Sequence, residues 1–306
     1  MLLYENKGAD STWMQPIFPG IEIMHVSAHE QEIHLQYYSD VPHNTFEIFH
    51  CREGRLELQI GNDYCYISPG DLLLVRAEEM ASCFYFPLKH YHGLTVRVNL
   101  ANAPRCFSCI LQDVNVQPHL IAGRFCRDKG YYIARSNASI EHIFSEMYNI
   151  PEVIRAGYLK IKVLELMLFL SAYDIRMEEA RLSSLSPAQV HLAKAVAEYL
   201  SEHMEERFTL EQAAQMFNAS VTSMKNAFKA VYGVPFYAFI KAGKMESAAC
   251  MLEHTDKTIA QIAGEHGYDN SGKFASAFRA VKGMSPGEYR QQMQKYDKGG
   301  DLWKIW

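Results

Sequence analysis

Short runs in the first hundred residues alternate apolar and polar positions. Ile33-His-Leu-Gln-Tyr-Tyr38, Thr45-Phe-Glu-Ile-Phe-His50, Arg55-Leu-Glu-Leu-Gln-Ile60 and Leu94-Thr-Val-Arg-Val-Asn-Leu100 read as strands. In the third, Leu56, Leu58 and Ile60 share a face opposite Glu57 and Gln59. Gly54, Gly61-Asn62-Asp63 and Pro69-Gly70-Asp71 supply the turns. Strands at this spacing predict an antiparallel barrel or sandwich. From about Ser139 the period becomes helical, and Leu159 to Leu170 is apolar on most faces. Such a helix packs on the barrel with one side; its other side suits a dimer contact or, equally, an intradomain one. Residues 176–186 turn polar and read as a linker. The expected organisation is an α+β multidomain chain. It has an N-terminal antiparallel β-barrel with flanking helices (1–175), the linker, and a C-terminal all-α domain (187–306).

The C-terminal part repeats itself. Thr209-Leu-Glu-Gln-Ala-Ala214 recurs as Thr258-Ile-Ala-Gln-Ile-Ala263, and Phe228-Lys-Ala-Val-Tyr-Gly233 as Phe278-Arg-Ala-Val-Lys-Gly283. The second copy is one residue longer between its two halves, which places the insertion in a loop. Each copy opens on Thr-x-x-Gln, a capping box in which hydroxyl and amide satisfy backbone N–H groups of the first turn. Ser186-Pro187-Ala188-Gln189 is a third helix start of this kind, with proline at the first helical position. Asn218 and Gly267 tolerate the left-handed backbone that ends a helix, and second helices follow at Ser220 and at Asp269 or Asn270. Short helix, tight turn, second helix is the helix-turn-helix plan.

Composition narrows the function class. The chain has 48% hydrophobic and 21% charged residues, as in a soluble globular protein. No apolar run reaches the roughly 20 residues that span a bilayer, and MLLYENKGAD lacks the form of a secretory signal. A cytoplasmic location and no membrane partner are therefore expected. Seven cysteines without an export signal read as reduced thiols. Cys106 and Cys109 form a lone CxxC, a weak metal signal. Against a net charge of −5, residues 188–306 carry 14 Lys+Arg and 13 Asp+Glu. Nucleic-acid binding must then depend on where the cations sit.

Residues 188–290 resemble the DNA-binding domain of the AraC/XylS family of bacterial regulators. The matching positions run in order through Ala214, Phe228, Gly233, Ala248, Leu252, Ile259, Ile262, Ala263, Gly267, Phe278 and Gly283. The long connector Phe236 to Glu253 and the Pro286-Gly-Glu-Tyr289-Arg290 signature complete the likeness. The resemblance implies two helix-turn-helix units whose second helices enter successive major grooves, about 34 Å apart. On the first reading helix the base-reading candidates are Thr222, Ser223, Lys225 and Asn226; on the second they are Ser271, Lys273 and Ser276. Lys225 suits guanine O6/N7 and Asn226 suits adenine. Lys229, Lys241, Lys244, Lys257, Arg279, Lys282 and Arg290 are assigned to phosphates. Asn226 and Ser276 stand where family members often carry Arg. With Gly272 and Ala275 nearby, the second unit is expected to read fewer bases. Gly243 replaces an apolar connector residue at about 1 kcal/mol of helix propensity, and is expected to loosen the link.

The N-terminal region resembles the cupin-like effector domain found ahead of this module. His43, Glu47 and Gly54 match part of the first cupin metal motif, and Pro69-Gly70-Asp71 the turn of the second. Val41 and Leu73 stand where further histidines would fall, so no metal, cofactor or catalytic residue is expected. The resemblance implies a small-molecule effector, in this family commonly a sugar. Trp13, Tyr37, His43, Glu47 and Arg97 are the candidate contacts, with Glu47 accepting hydroxyls and Arg97 pairing a carboxylate. It implies too a homodimer that engages double-stranded DNA and RNA polymerase, and no enzyme activity. The competing readings are a cupin-type metalloenzyme with a helical accessory domain, and a redox-sensing regulator using Cys106 and Cys109.

Overall fold

A computed structural model describes residues 2–3, 9–34, 42–80, 83–107, 115–127, 129–175, 185–204, 206 and 208–299. The chain forms two compact units, Met1–Pro187 and Ala188–Trp306. Tyr37 and Val41, Cys109 and the linker residues 176–184 lie outside the described residues.

In the first unit the strands are β1 (Leu2–Leu3), β2 (Ala9–Phe18), β3 (Ile21–Ala28), β4 (Glu32–His34), β5 (Thr45–Gly54), β6 (Leu56–Ile60), β7 (Asp63–Ile67), β8 (Leu72–Arg76), β9 (Cys83–Tyr85), β10 (Tyr91–Asn99) and β11 (Tyr131–Ala134). They form a seven-stranded sheet ordered β1-β2-β3-β10-β5-β8-β11 and a four-stranded one ordered β4-β9-β6-β7. All the ladders are antiparallel. One face of the large sheet (Met24, Val26, Phe49, Leu73, Val75) shares a core with Leu56, Leu58, Ile60, Ile67 and Phe84 of the small sheet. The opposite face (Ile23, Ile48, Leu74, Leu94, Val96) is covered by helices α1 (Pro118–Phe125), α2 (Ala138–Ser145) and α3 (Glu152–Ala172).

This double burial explains the strands that alternation does not reveal. Leu72-Leu-Leu-Val75 sends Leu72 and Leu74 to the helix side and Leu73 and Val75 between the sheets. A strand covered on both faces reads as a continuous apolar run, not an alternating one. Helix α3 buries Leu159, Val163, Leu166, Met167 and Leu170, and leaves Ile154, Ile161 and Leu168 exposed on its outer side.

The second unit consists of α4 (Pro187–Glu202), α5 (Leu210–Met216), α6 (Val221–Tyr232), α7 (Phe236–His254), α8 (Ile259–Glu265), α9 (Ser271–Lys282) and α10 (Pro286–Gly299). Both expected capping boxes are present. Thr209 Oγ1 accepts from the Gln212 N–H, Thr258 Oγ1 accepts from the Gln261 N–H, and each glutamine reaches back. Asn218 and Gly267 adopt left-handed φ of 49° and 77° in the turns. Each second helix ends on a left-handed glycine, Gly233 or Gly283. Phe228 anchors α6 edge-on against Phe236 and Phe239, and Phe278 anchors α9 against Tyr289. Among the described residues no helix is long and apolar enough to cross a membrane.

Candidate nucleic-acid interface and effector pocket

Burial divides each reading helix into an anchored side and an open one. Helix α6 buries Met224, Ala227, Phe228, Val231 and Tyr232. It leaves Thr222, Lys225, Asn226 and Lys229 exposed and Ser223 half-buried. Val221 is exposed as well. It is the first residue of the helix, beyond the reach of the core. Helix α9 buries Phe274, Ala277 and Phe278, and exposes Ser271, Gly272, Lys273, Ser276 and Arg279. The Ser276 hydroxyl donates to Gly272 O at 3.0 Å, so its proton is spent on its own helix. Asn270 Oδ1 accepts from the Gly272 and Lys273 N–H groups and fixes the start of α9. There Lys241 of α7 joins Asn270, Gly272, Lys273, Ser276 and Ala277 around an open groove of about 540 Å³.

The basic residues assigned to phosphates separate into three groups. Among the described residues, Lys229 and Lys241 are exposed without an ion-pair partner, as are Lys225 and Lys273 of the reading set. Lys257, Arg279 and Lys282 pair with Glu265, Glu288 and Glu246. Surface pairs of this kind contribute only about 0.2–1 kcal/mol, so a phosphate can displace the carboxylate.

Lys244 and Arg290 correct the expectation. Lys244 is 8% exposed, and its ammonium donates to Glu206 O at 3.0 Å and His266 O at 3.1 Å. Arg290 donates to Leu252 O, Thr255 O and Lys257 O around the C-terminus of α7. Both cations hold the domain together, because carbonyls at helix ends and turns need donors. Nothing in a sequence separates a lysine facing solvent from one folded inward. Tyr289 donates to Glu253, so the Pro286–Arg290 signature fastens α10 to α7. Glu288 accepts from the Ser285 N–H as a helix cap, and hydrogen bonding from the Ser285 side chain and backbone, then from Arg279, holds its carboxyl down at about 2. Gly243 does not leave a gap: a β-carbon there would stand 2.6 Å from Met204 Cε, so the glycine admits that side chain.

In the first unit, Arg97 and Glu47 are direct cross-strand partners, and the guanidinium is bonded to the carboxylate. Glu22 flanks Arg97 on the other side. The row continues to Val75, which lies in the core between the sheets. Of the four effector candidates among the described residues, the structure brings these two together. Trp13 lies on the helix-covered face and stacks on His25 at 5.5 Å. His43 is exposed in the loop before β5, so it and buried Glu47 do not converge as ligands. Among the described residues no three His, Cys, Asp or Glu side chains could hold a metal ion. Cys106 is half-buried.

Sequence reasoning missed a histidine cluster on the helix-covered face. His25 Nε2 lies 2.6 Å from His92 Nε2, and His50 Nδ1 lies 2.7 Å from the Tyr148 hydroxyl. Burial drives His25 down to about 4 and His50 to about 3, with nearby His92 and Arg52 adding to the shift of the first and Arg52 to that of the second. The three histidines sit on three different strands, a juxtaposition without a local signal.

The description "Helix-turn-helix domain" matches residues 213–292, and "AraC-like ligand binding domain" matches residues 24–148. The chain belongs to the AraC/XylS family. The family's effector-domain match takes in His25, Glu47, Arg97 and Tyr148, and its helix-turn-helix match takes in both reading helices and the signature. The MmsAB operon regulatory protein of Pseudomonas aeruginosa is 33% identical over 102 residues, which are 33% of each chain. An uncharacterized HTH-type transcriptional regulator of Escherichia coli, YdiP, is 32% identical over 103 residues, 34% of each chain. These matches span about a third of the length of the curated relatives. Among solved structures, the C-terminal domain of AraT from Geobacillus stearothermophilus is 32% identical, covering 36% of this chain and 88% of that one, with a TM-score of 0.33.

Proposed function

We propose that the protein is a sequence-specific DNA-binding transcriptional regulator, cytoplasmic and without catalytic turnover, controlled by a small polyhydroxylated effector of the sugar type. The observation that carries the DNA reading is the matched open side of two capped, phenylalanine-anchored helices. Lys225 and Asn226 on α6, with Thr222 and Ser223, form one base-reading face. Ser271, Lys273 and, more weakly, Ser276 form the other. Lys229 and Lys241 position the backbone, with Lys257, Arg279 and Lys282 exchanging carboxylates for phosphates.

The row Glu22–Arg97–Glu47 supports the effector class. Arg97 is already engaged by a carboxylate, so the row favours hydroxyl groups over a second acid. Helix α3 supports a homodimer: Ile154, Ile161 and Leu168 are exposed at seven-residue intervals with Gly157 and Leu164 between them, the spacing of a two-helix seam. RNA polymerase is the further partner in this reading.

The test selects duplexes from a random pool with the full chain and measures affinity across a salt series. A selected motif and a log–log slope between about −3 and −6 are expected, from roughly 0.9 per phosphate neutralised. Sugars of the effector class should shift that affinity. A pool that yields no enriched duplex sinks the DNA reading, and one unmoved by any such compound sinks the effector class.

A further inference from the structure

Lys244 lies near the middle of α7, the helix that joins the two helix-turn-helix units. Its ammonium is buried, and two carbonyls to which it donates belong to different helix-turn-helix units. Glu206 precedes Thr209, the cap of α5, in the first helix-turn-helix. His266 ends α8 in the second, at the turn that aims α9. The His266 carbonyl is itself held in place: the ring is 3% exposed and its Nδ1 lies 2.8 Å from Ile262 O. The neighbouring Gly243 lets Met204, from the segment just before Glu206, close against the same stretch of α7. One side chain of the connector is thereby bonded to the entry of one unit and to the turn of the other.

We propose that Lys244 is a positioning residue that fixes the separation and angle of the two reading helices, and so the spacing of the two base boxes the protein accepts. The proposal rests on the DNA-binding reading above. An ammonium suits the task, since three donors on one nitrogen can bond to carbonyls of separate segments. A buried cation whose acceptors are lost is strongly penalised, so the arrangement resists slipping. Base contacts specify sequence one by one, whereas the scaffold between them specifies the distance at which both are made together.

The experiment uses the full chain, its selected duplex, and versions of that duplex with one base pair added or removed between the boxes. Lys244→Met keeps the length and apolar stem of the side chain and removes its donors. It is expected to retain binding to the parent duplex with an unaltered salt slope, while the preference over the altered spacings falls roughly fivefold or more. Lys244→Gln, which retains one donating group, should fall between the two. A spacing preference unchanged in Lys244→Met overturns the proposal. So does a uniform loss on all duplexes with a salt slope shallower by about 1, the mark of a phosphate contact. Loss of the folded state in both variants, seen by thermal melting, overturns it as well, because the lysine then serves folding instead of spacing. Failure of the unsubstituted protein to bind any duplex is a failure of the DNA reading itself.

Discussion

Arg97 of β10 stands directly opposite Glu47 of β5, and the pair is bonded on the face that meets the small sheet, with Glu47 fully buried and Arg97 nearly so. Removing one partner strands the other charge in the interior. Arg97→Met is expected to cost about 3–5 kcal/mol in denaturant unfolding. The double variant Arg97→Met/Glu47→Leu should recover much of that loss, because a buried ion pair is often replaceable by apolar groups. A double variant no more stable than the single would mean that the pair's worth lies elsewhere.

The lysines proposed to read bases and those proposed to hold phosphates should differ in what they change. Lys225→Ala should alter base preference at one position by about 1–3 kcal/mol. Lys241→Ala should weaken all duplexes alike and flatten the salt slope by about 1. Competition binding against single-base variants of the selected duplex checks both. Equal, uniform losses from the two would contradict the division.

Arg290→Ala should behave unlike either. Three carbonyls at the end of α7 lose their donor, so about 1.5–3 kcal/mol of stability is expected to go. The salt slope of the remaining folded protein should hold. A shallower slope at unchanged stability would return Arg290 to the phosphate contacts.

Acid should destabilise the first unit through its histidines. Their folded pKa values lie below 6.5, at about 4 for His25 and about 3 for His50, so the unfolded chain binds more protons in that window. Stability is full above about pH 6.5 and falls as pH drops towards 4 and then 3, by several kcal/mol in all. Denaturant midpoints from pH 7.5 to 4.5 measure this, and His50→Gln should flatten the curve. An identical slope in that variant would assign the effect to other groups.

Local chemistry made the helical unit readable. Thr209, Gln212, Thr258 and Gln261 announce their helix starts within four residues, and Asn218 and Gly267 mark their own turns. Strands Thr45–Gly54 and Leu56–Ile60 were legible from alternation, whereas Leu72–Arg76 was hidden by burial on both sides. At the interface, exposure of Lys225, Asn226 and Lys273 followed from helical spacing. The inward turns of Lys244 and Arg290 did not, because their acceptors are main-chain oxygens that carry no residue identity. The cross-strand meeting of Glu47 with Arg97 was equally invisible, since register between distant strands depends on every strand between them.

The glycine stops at Gly233 and Gly283, with the caps at Ser220 and Asn270, bound each of the two helices by residues outside the proposed base-reading set. The boundaries of the cassette are thus independent of its contents. If positions 222, 223, 225 and 226, with 271, 273 and 276, read the bases as proposed, they should accept other residues, and so another operator, without a change in how either helix begins or ends.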